Sequence, residues 1–454
     1  MRPDRFFLLA SLLFGLAFLI VTPPFQAPDE PAHFYRSYSI SEGDLSGQRY
    51  GEGRAAGWGA MLPASLWALD TELRGDLPGR PELKIRPAKI LRAFHVPLEP
   101  ERRVFADYRT SAQLSFVPYL PQAAGIAVAR ALGAPPLALL YVARLVNLLV
   151  ATALIFAALR QLPAYGWLLT LIALTPMSLF LRASLSADAF TIAVAFLLTA
   201  TVARLAWGED QPGTWKDVAL LTACAAALCL TKPVYMPLAG LAFLIPASRL
   251  PAGRRLPALA PFVGFTAAAF ALALASGGAM DLPLRLDEVV DRERQIQDAF
   301  ADPPRVAWIL VRDSLQQGDR YLAQMVGQLG WLDVNLPKPF LFGFLLVLGL
   351  LALCDGRREV AVRPGQRAVL ALIALATVAL VSAAQYATWT TYGADHLEGV
   401  QGRYYLPLVP AAVWLLHTRR FQIDPALPGR LLPLFSALSS VLALWLVLRR
   451  YYGA

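Results

Sequence analysis

Apolar residues recur along this chain in runs of about 20, separated by short clusters of Arg and Lys. A helix of that length, rising ~1.5 Å per residue, spans a hydrocarbon core of ~30 Å. Eleven such runs are predicted, at about residues 5–22, 137–159, 163–182, 187–206, 217–231, 234–248, 257–276, 339–354, 368–387, 403–418 and 430–448. Lipid offers no partner to a free backbone amide, so each span is expected to be a helix and the fold an all-α polytopic membrane protein. The pattern divides the chain into a first transmembrane helix (1–22), a first long outer loop (23–136), a transmembrane bundle (137–276), a second long outer loop (277–338) and a C-terminal transmembrane bundle (339–454). Neither long loop is Gly/Ser-rich, so both read as folded, with juxtamembrane helices, rather than as linkers.

The segment from Leu114 to Gly133 decides the sidedness. It is apolar enough to count as a twelfth span, but Pro118 and Pro121 interrupt it, and the positive charges argue that it does not cross. With it re-entrant or lying on the surface, Arg2 and Arg5, Arg160, Arg204 with Lys216, Arg249 with Arg254 and Arg255, Arg357 to Arg367, and Arg419 with Arg420 all fall on one side. That side is then the cytoplasm, and the N-terminus lies there. Arg449 and Arg450 are left on the opposite side as a small exception.

The composition agrees with this pattern. Of 454 residues, 57% are hydrophobic and 16% charged, a balance that a water-soluble surface could not cover. Mean hydropathy is +0.49. The net charge of +9 lies in the short loops, which accounts for it without a nucleic-acid partner. The run from Phe6 to Val21 has no small-residue cleavage site and reads as a permanent span. Cys224, Cys229 and Cys354 sit in or at the ends of apolar runs, so neither disulfides nor thiolate metal sites are expected.

Chemistry concentrates where runs end on the non-cytoplasmic side. "APDEPAH" places Asp29, Glu30 and His33 within one helical turn at the mouth of the first span. Asp29 suits a helix N-cap, and a helix from Glu30 to about Glu42, stopped by Gly43, follows, its Phe34, Tyr35 and Tyr38 suited to the headgroup level. Capping needs only one short acceptor, whereas two carboxylates 4 Å apart repel by ~4 kcal/mol at an effective dielectric near 20. Either a divalent ion or Arg and Lys from other loops must offset them. "LSADAF" adds Asp188, with Ser186 as a competing cap, and "TKP" adds Lys232, for which ordinary snorkelling is the competing reading. "GVQGRYYLP" sets two glycines around Gln401 and follows them with Arg403, a residue suited to bidentate phosphate contact. "GWLD" adds Trp331 and Asp333, which compete with a role in the interfacial aromatic belt. Asp395, His396 and Glu398 read as solvated loop residues.

"PDEPAHFYRSYSISEGDL", "LSADAF", "GWLD" and "GVQGRYYLP", in that order, resemble a family of bacterial predicted membrane proteins that carries a domain-of-unknown-function label. That family is similar in layout to the GT-C glycosyltransferases, which take a sugar from a polyprenyl-phosphate carrier at the outer leaflet and invert the anomeric centre. The resemblance implies that Asp29, or Glu30 in exchange, is the base or a metal ligand, and that Asp188 is the second-loop acid that orients the acceptor or completes a metal site. Lys232 and Arg403 would balance the carrier phosphate, and His33, Gln401, Tyr404, Trp331 and Asp333 complete the expected binding set. A cation such as Mg or Mn, held by Asp29, Glu30 and Asp188, is one cofactor this allows. The partners implied are a lipid-linked sugar, membrane lipid and an envelope glycan, lipid or protein acceptor, at the outer face of a bacterial cytoplasmic membrane. A transporter or flippase of lipid-linked precursors is the alternative, and a scaffold for an envelope-synthesis complex a third.

Overall fold

The computed structural model describes residues 2–52, 56–209, 212–278, 284–285, 289–424 and 426–453. Helix α1 (Pro3–Val21) begins with proline in its first turn, where a missing N–H costs nothing, and Pro23 and Pro24 follow its end. A tight turn leads into α2 (Glu30–Ser41), which stops before Gly43 in the left-handed region, φ +95°. Phe34, Tyr35 and Tyr38 are buried, so α2 is enclosed by protein rather than laid along a headgroup layer. Strands β1 (Gln48–Tyr50), β2 (Gly57–Pro63) and β3 (Arg103–Asp107) then form an antiparallel sheet in that order, with α3 (Ala64–Arg74) beside it. A Cβ on Gly59 would lie 1.9 Å from the Ala106 carbonyl oxygen, so β2 can approach β3 only through glycine. This sheet departs from the all-α expectation, although the chain is otherwise mainly helical.

Helix α4 (Leu120–Ala131) has 12 residues, ~18 Å of helix, too short to cross a bilayer alone. It packs on α2 and on α5 (Pro136–Leu159). Next come α6 (Ala187–Trp207), whose residues are nearly all buried, α7 (Trp215–Thr231) and α8 (Arg255–Gly278). The second connection carries α9 (Arg292–Ala301), α10 (Pro303–Gln316), α11 (Gly318–Gly327) and a two-stranded hairpin, β4 (Gln328–Leu329) and β5 (Val334–Asn335). The chain closes with α12 (Lys338–Cys354), α13 (Pro364–Thr388) and α14 (Ala426–Tyr452).

Among the described residues, six helices are long and apolar enough to cross a membrane: α1, α5, α6, α8, α13 and α14. The other five predicted runs are short or broken. Residues 163–182 divide into Gly166–Ala173 and Pro176–Arg182, because Thr175 caps the second piece with its own hydroxyl. Helices α7 and α12 have 17 residues each. Pro233–Leu244 is a 3-10 helix with Pro237 inside it, and residues 402–416 form a series of short helical turns.

The two ends of the bundle differ. At one, the predicted basic clusters are knitted together: Thr170 donates to the Pro3 carbonyl, the Gly213 amide to Arg249, the Tyr165 amide to Asp355, Trp207 to Gln366, and Arg419 to Val360. Arg204 pairs with Asp217, and Arg367 donates to the carbonyls of Leu415 and His417. The other end carries both long connections. The close of α14 lies there too, since the Ile85 amide donates to the Tyr451 carbonyl (2.8 Å). Arg450 is buried, paired with Asp333 (2.7 Å) and donating to the carbonyls of Leu77 and Leu83, which is why a basic residue stands among the acidic loops.

Candidate functional site

The turn between α1 and α2 is built on Glu30. Its carboxylate is fully buried and accepts from Arg144 Nε (2.8 Å) and Nη2 (2.6 Å), from the Phe25 amide (2.9 Å) and from the Leu185 amide (3.2 Å). Arg144, also fully buried, donates in addition to the carbonyls of Leu19, Thr22 and Pro23. One ion pair thus fastens the end of α1, the turn, α5 and the loop before α6. Glu30 has no oxygen free for a substrate proton or a metal, and the expectation that it exchanges roles with Asp29 is corrected accordingly.

That staple forces Phe25 and Asp29 into the left-handed region, φ 65° and 61°, a conformation costly for residues with a Cβ. Asp29 occupies the N-cap position of α2, yet its side chain makes no capping bond. It points into a cavity of about 520 Å³, with its side chain 39% exposed. Asp188, in the first turn of α6, lines the same cavity but is only 9% exposed. Ser186 caps that helix by accepting from the Asp188 amide (3.2 Å), which leaves the Asp188 carboxylate for other partners.

Those partners are Lys232 and Arg403. Lys232 ends α7 and puts Nζ 2.5 Å from Asp188 Oδ1 and 4.6 Å from the centre of the Tyr404 ring. Arg403 bridges the two acids, with Nε 3.2 Å from Asp188 Oδ2 and Nη2 3.5 Å from Asp29 Oδ2. Two glycines place it. Gly402 donates to Gln324 Oε1 (2.8 Å), and a Cβ there would lie 1.9 Å from the Tyr321 carbonyl oxygen. Gly399 is left-handed, φ +80°, against the Trp389 ring. Gln401, Tyr404 and Trp331 also line the cavity, the last held by its Nε1 donating to the Phe25 carbonyl (3.2 Å). Gln401 Oε1 is buried without a hydrogen-bond partner among the described residues.

His33 lies at the edge of this group, its Nδ1 2.9 Å from the Tyr119 hydroxyl. Burial holds its pKa below the usual 6.5, against the opposing pull of Asp29 and Asp188, so the ring is neutral at neutral pH. Asp333 does not join the cavity lining, because it is committed to Arg450. Asp395 is exposed, and Glu398 pairs with Arg285 (2.6 Å). The facing wall is largely apolar: Ala273 and Leu274 of α8, and Val381, Ala384 and Thr388 of α13, interrupted by Gln385. The cavity is therefore polar towards the loops and greasy towards two helices long enough to span a membrane.

The model of a family described as "Predicted membrane protein (DUF2142)" matches residues 12–412. The chain belongs to this family. No curated protein and no solved structure matches it. The family match runs from within α1 to beyond Arg403, so every charged residue at the DUF2142 cavity lies inside it.

A divalent cation held by Asp29, Glu30 and Asp188 does not fit this DUF2142 site. Glu30 is consumed by Arg144, and Arg403 and Lys232 already stand against Asp29 and Asp188 where the cation's charge would act. Sequence reasoning overlooked Arg292, Gln385, Trp389 and Gln113 of the lining. Gln385 left a signal, a polar amide in an otherwise apolar helix. Arg292 left none, being one charge in a charged segment.

Proposed function

We propose that this protein is a membrane glycosyltransferase that moves a sugar from a polyprenyl-phosphate carrier to a cell-envelope acceptor, with inversion, at the outer face of the bacterial cytoplasmic membrane. The observation that carries the reading is the inequality of the two acids at one cavity: Asp29 accessible and loosely paired, Asp188 enclosed and held by two cations. In this reading Asp29 takes the proton of the acceptor hydroxyl as its oxygen bonds to the anomeric carbon. The bond from that carbon to the phosphate oxygen breaks, and the carrier leaves as polyprenyl phosphate. A phosphate needs charge stabilisation rather than protonation, which Lys232 and Arg403 supply. Asp188 is then a positioning residue that orients these two cations. The unpartnered Gln401 oxygen suits a hydroxyl of the sugar or acceptor.

The apolar wall supports a lipid-linked donor. A groove of about 640 Å³ between α7 and α8 runs from Trp215 to Leu230 and Leu272, next to Lys232 and Ala273 at the cavity, and a prenyl chain laid in it would bring its phosphate to the cations. The eleven-span, GT-C-like layout is part of the same proposal, with α7, α12 and the broken segments completing the crossings. The test is to mix purified protein with polyprenyl-phosphate-linked hexoses and an envelope extract, with and without EDTA. Release of free polyprenyl phosphate with sugar on the acceptor, indifferent to EDTA, is expected. Movement of intact donor across vesicles without release would instead make the protein a flippase. The gathering of ionisable groups at one end, away from the middle of the helices, favours transfer.

A further inference from the structure

Among the described residues, five charged side chains line the cavity: Asp29, Asp188, Lys232, Arg403 and Arg292. The first four form a closed set of two negative and two positive charges, joined through Arg403 and Lys232. Arg292 stands outside it. It opens α9, is exposed, and makes no ion pair or side-chain hydrogen bond among the described residues. The acidic residues on either side of it are engaged elsewhere. Asp291 accepts from the Arg294 amide (3.0 Å) and pairs with Arg294 Nε (3.3 Å), while Glu293 accepts from Gln297 (3.4 Å). The helix is held against the end of α13 by Gln295, which is buried and donates to the Thr390 carbonyl (2.6 Å). An exposed guanidinium with no partner among the described residues thus stands on an anchored helix, at the edge of a cavity whose other described charges cancel.

We infer that Arg292 is a further phosphate-binding residue for the donor, beside Lys232 and Arg403, and that with it the site takes a donor of one negative charge, a phosphodiester such as a prenyl-phosphate-linked sugar rather than a prenyl diphosphate. The inference rests on the glycosyl-transfer reading and deepens it. With Arg292 the described lining carries a net charge of +1, by 3 positive minus 2 negative side chains, which one phosphodiester neutralises. A diphosphate would leave negative charge uncompensated beside the apolar wall, where it costs more than in water. The planar guanidinium can take two phosphate oxygens at once, a geometry that lysine does not reproduce.

Trp331 and Trp389 line the cavity, so their fluorescence reports its occupancy. The purified full chain is titrated with the methyl phosphodiester of farnesol, with farnesyl diphosphate, and with farnesol as an uncharged control. The wild type should bind the diester more tightly than the diphosphate. Arg292→Ala should weaken diester binding about tenfold or more, flatten its salt dependence and leave farnesol binding unchanged, with Arg292→Lys intermediate. If the wild type binds the diester and Arg292→Ala binds it equally well, the role of Arg292 is overturned while the transferase reading stands. Equal wild-type affinity for the two phosphates overturns the charge restriction. A wild type that does not bind the diester removes both this inference and the reading beneath it.

Discussion

Adjacent residues of like charge have opposite fates in this protein. Asp29 and Glu30 are neighbours, but the left-handed turn sends one carboxylate into the cavity and the other into the core against Arg144. Breaking a buried ion pair from one side leaves the partner's charge uncompensated, at a cost of about 3–5 kcal/mol. Glu30→Gln should therefore lower the thermal midpoint of the purified protein markedly, and Glu30→Ala with Arg144→Leu should recover part of the loss. Midpoints unchanged in Glu30→Gln would show that the pair does not fasten the turn. The sequence displayed both acids and could not assign them, because the discriminating partner, Arg144, lies inside a predicted span more than a hundred residues away. Asp188, Lys232 and Arg403 stand out in the sequence as charges at the ends of apolar runs, although helix capping competes as a reading of the Asp188 stretch and snorkelling as a reading of Lys232. Asp333 misled for the same reason in reverse: its partner, Arg450, looked like a stray basic anchor.

At the level of elements, the uninterrupted apolar runs specify themselves. Helices α1, α5, α6, α8, α13 and α14 follow the hydrophobic pattern to within a few residues. Where a hydroxyl cap or proline falls inside a run, as at Thr175 and Pro237, the backbone breaks and hydrophobicity alone overstates the helix. The sheet was not legible, because β2 pairs with β3 some forty residues away and the short β1 is fully exposed. The end of α14 provides a test at this scale. Arg450 joins it to the hairpin through Asp333 and to the first connection through two carbonyls. A double-mutant cycle of Arg450→Ala and Asp333→Ala should give a coupling of about 1–3 kcal/mol in stability, with the turnover of each folded variant close to wild type. Loss of turnover at unchanged stability would return Asp333 to the site.

At the scale of the whole molecule, the short basic clusters and the cavity lie at opposite ends. Under the positive-inside bias, the orientation we propose puts the end with the basic clusters in the cytoplasm and the cavity end outside. The existing cysteines are two buried and one half-buried, so Cys354→Ala gives a quiet background for labelling. On it, Asp76→Cys should react with a membrane-impermeant maleimide in intact cells, and Arg358→Cys only after permeabilisation. The reverse pattern would place the cavity in the cytoplasm and remove the outer-leaflet donor. In the proposed transfer, Asp29 is the group that takes the proton of the acceptor. The most direct measurement is the rate at which purified wild-type and Asp29→Asn proteins release polyprenyl phosphate from a polyprenyl-phosphate-linked hexose in the presence of acceptor. The account predicts release by the wild type and a fall of about 10²–10⁴-fold in the variant, with its thermal midpoint and donor binding retained. Equal release by both proteins would contradict it.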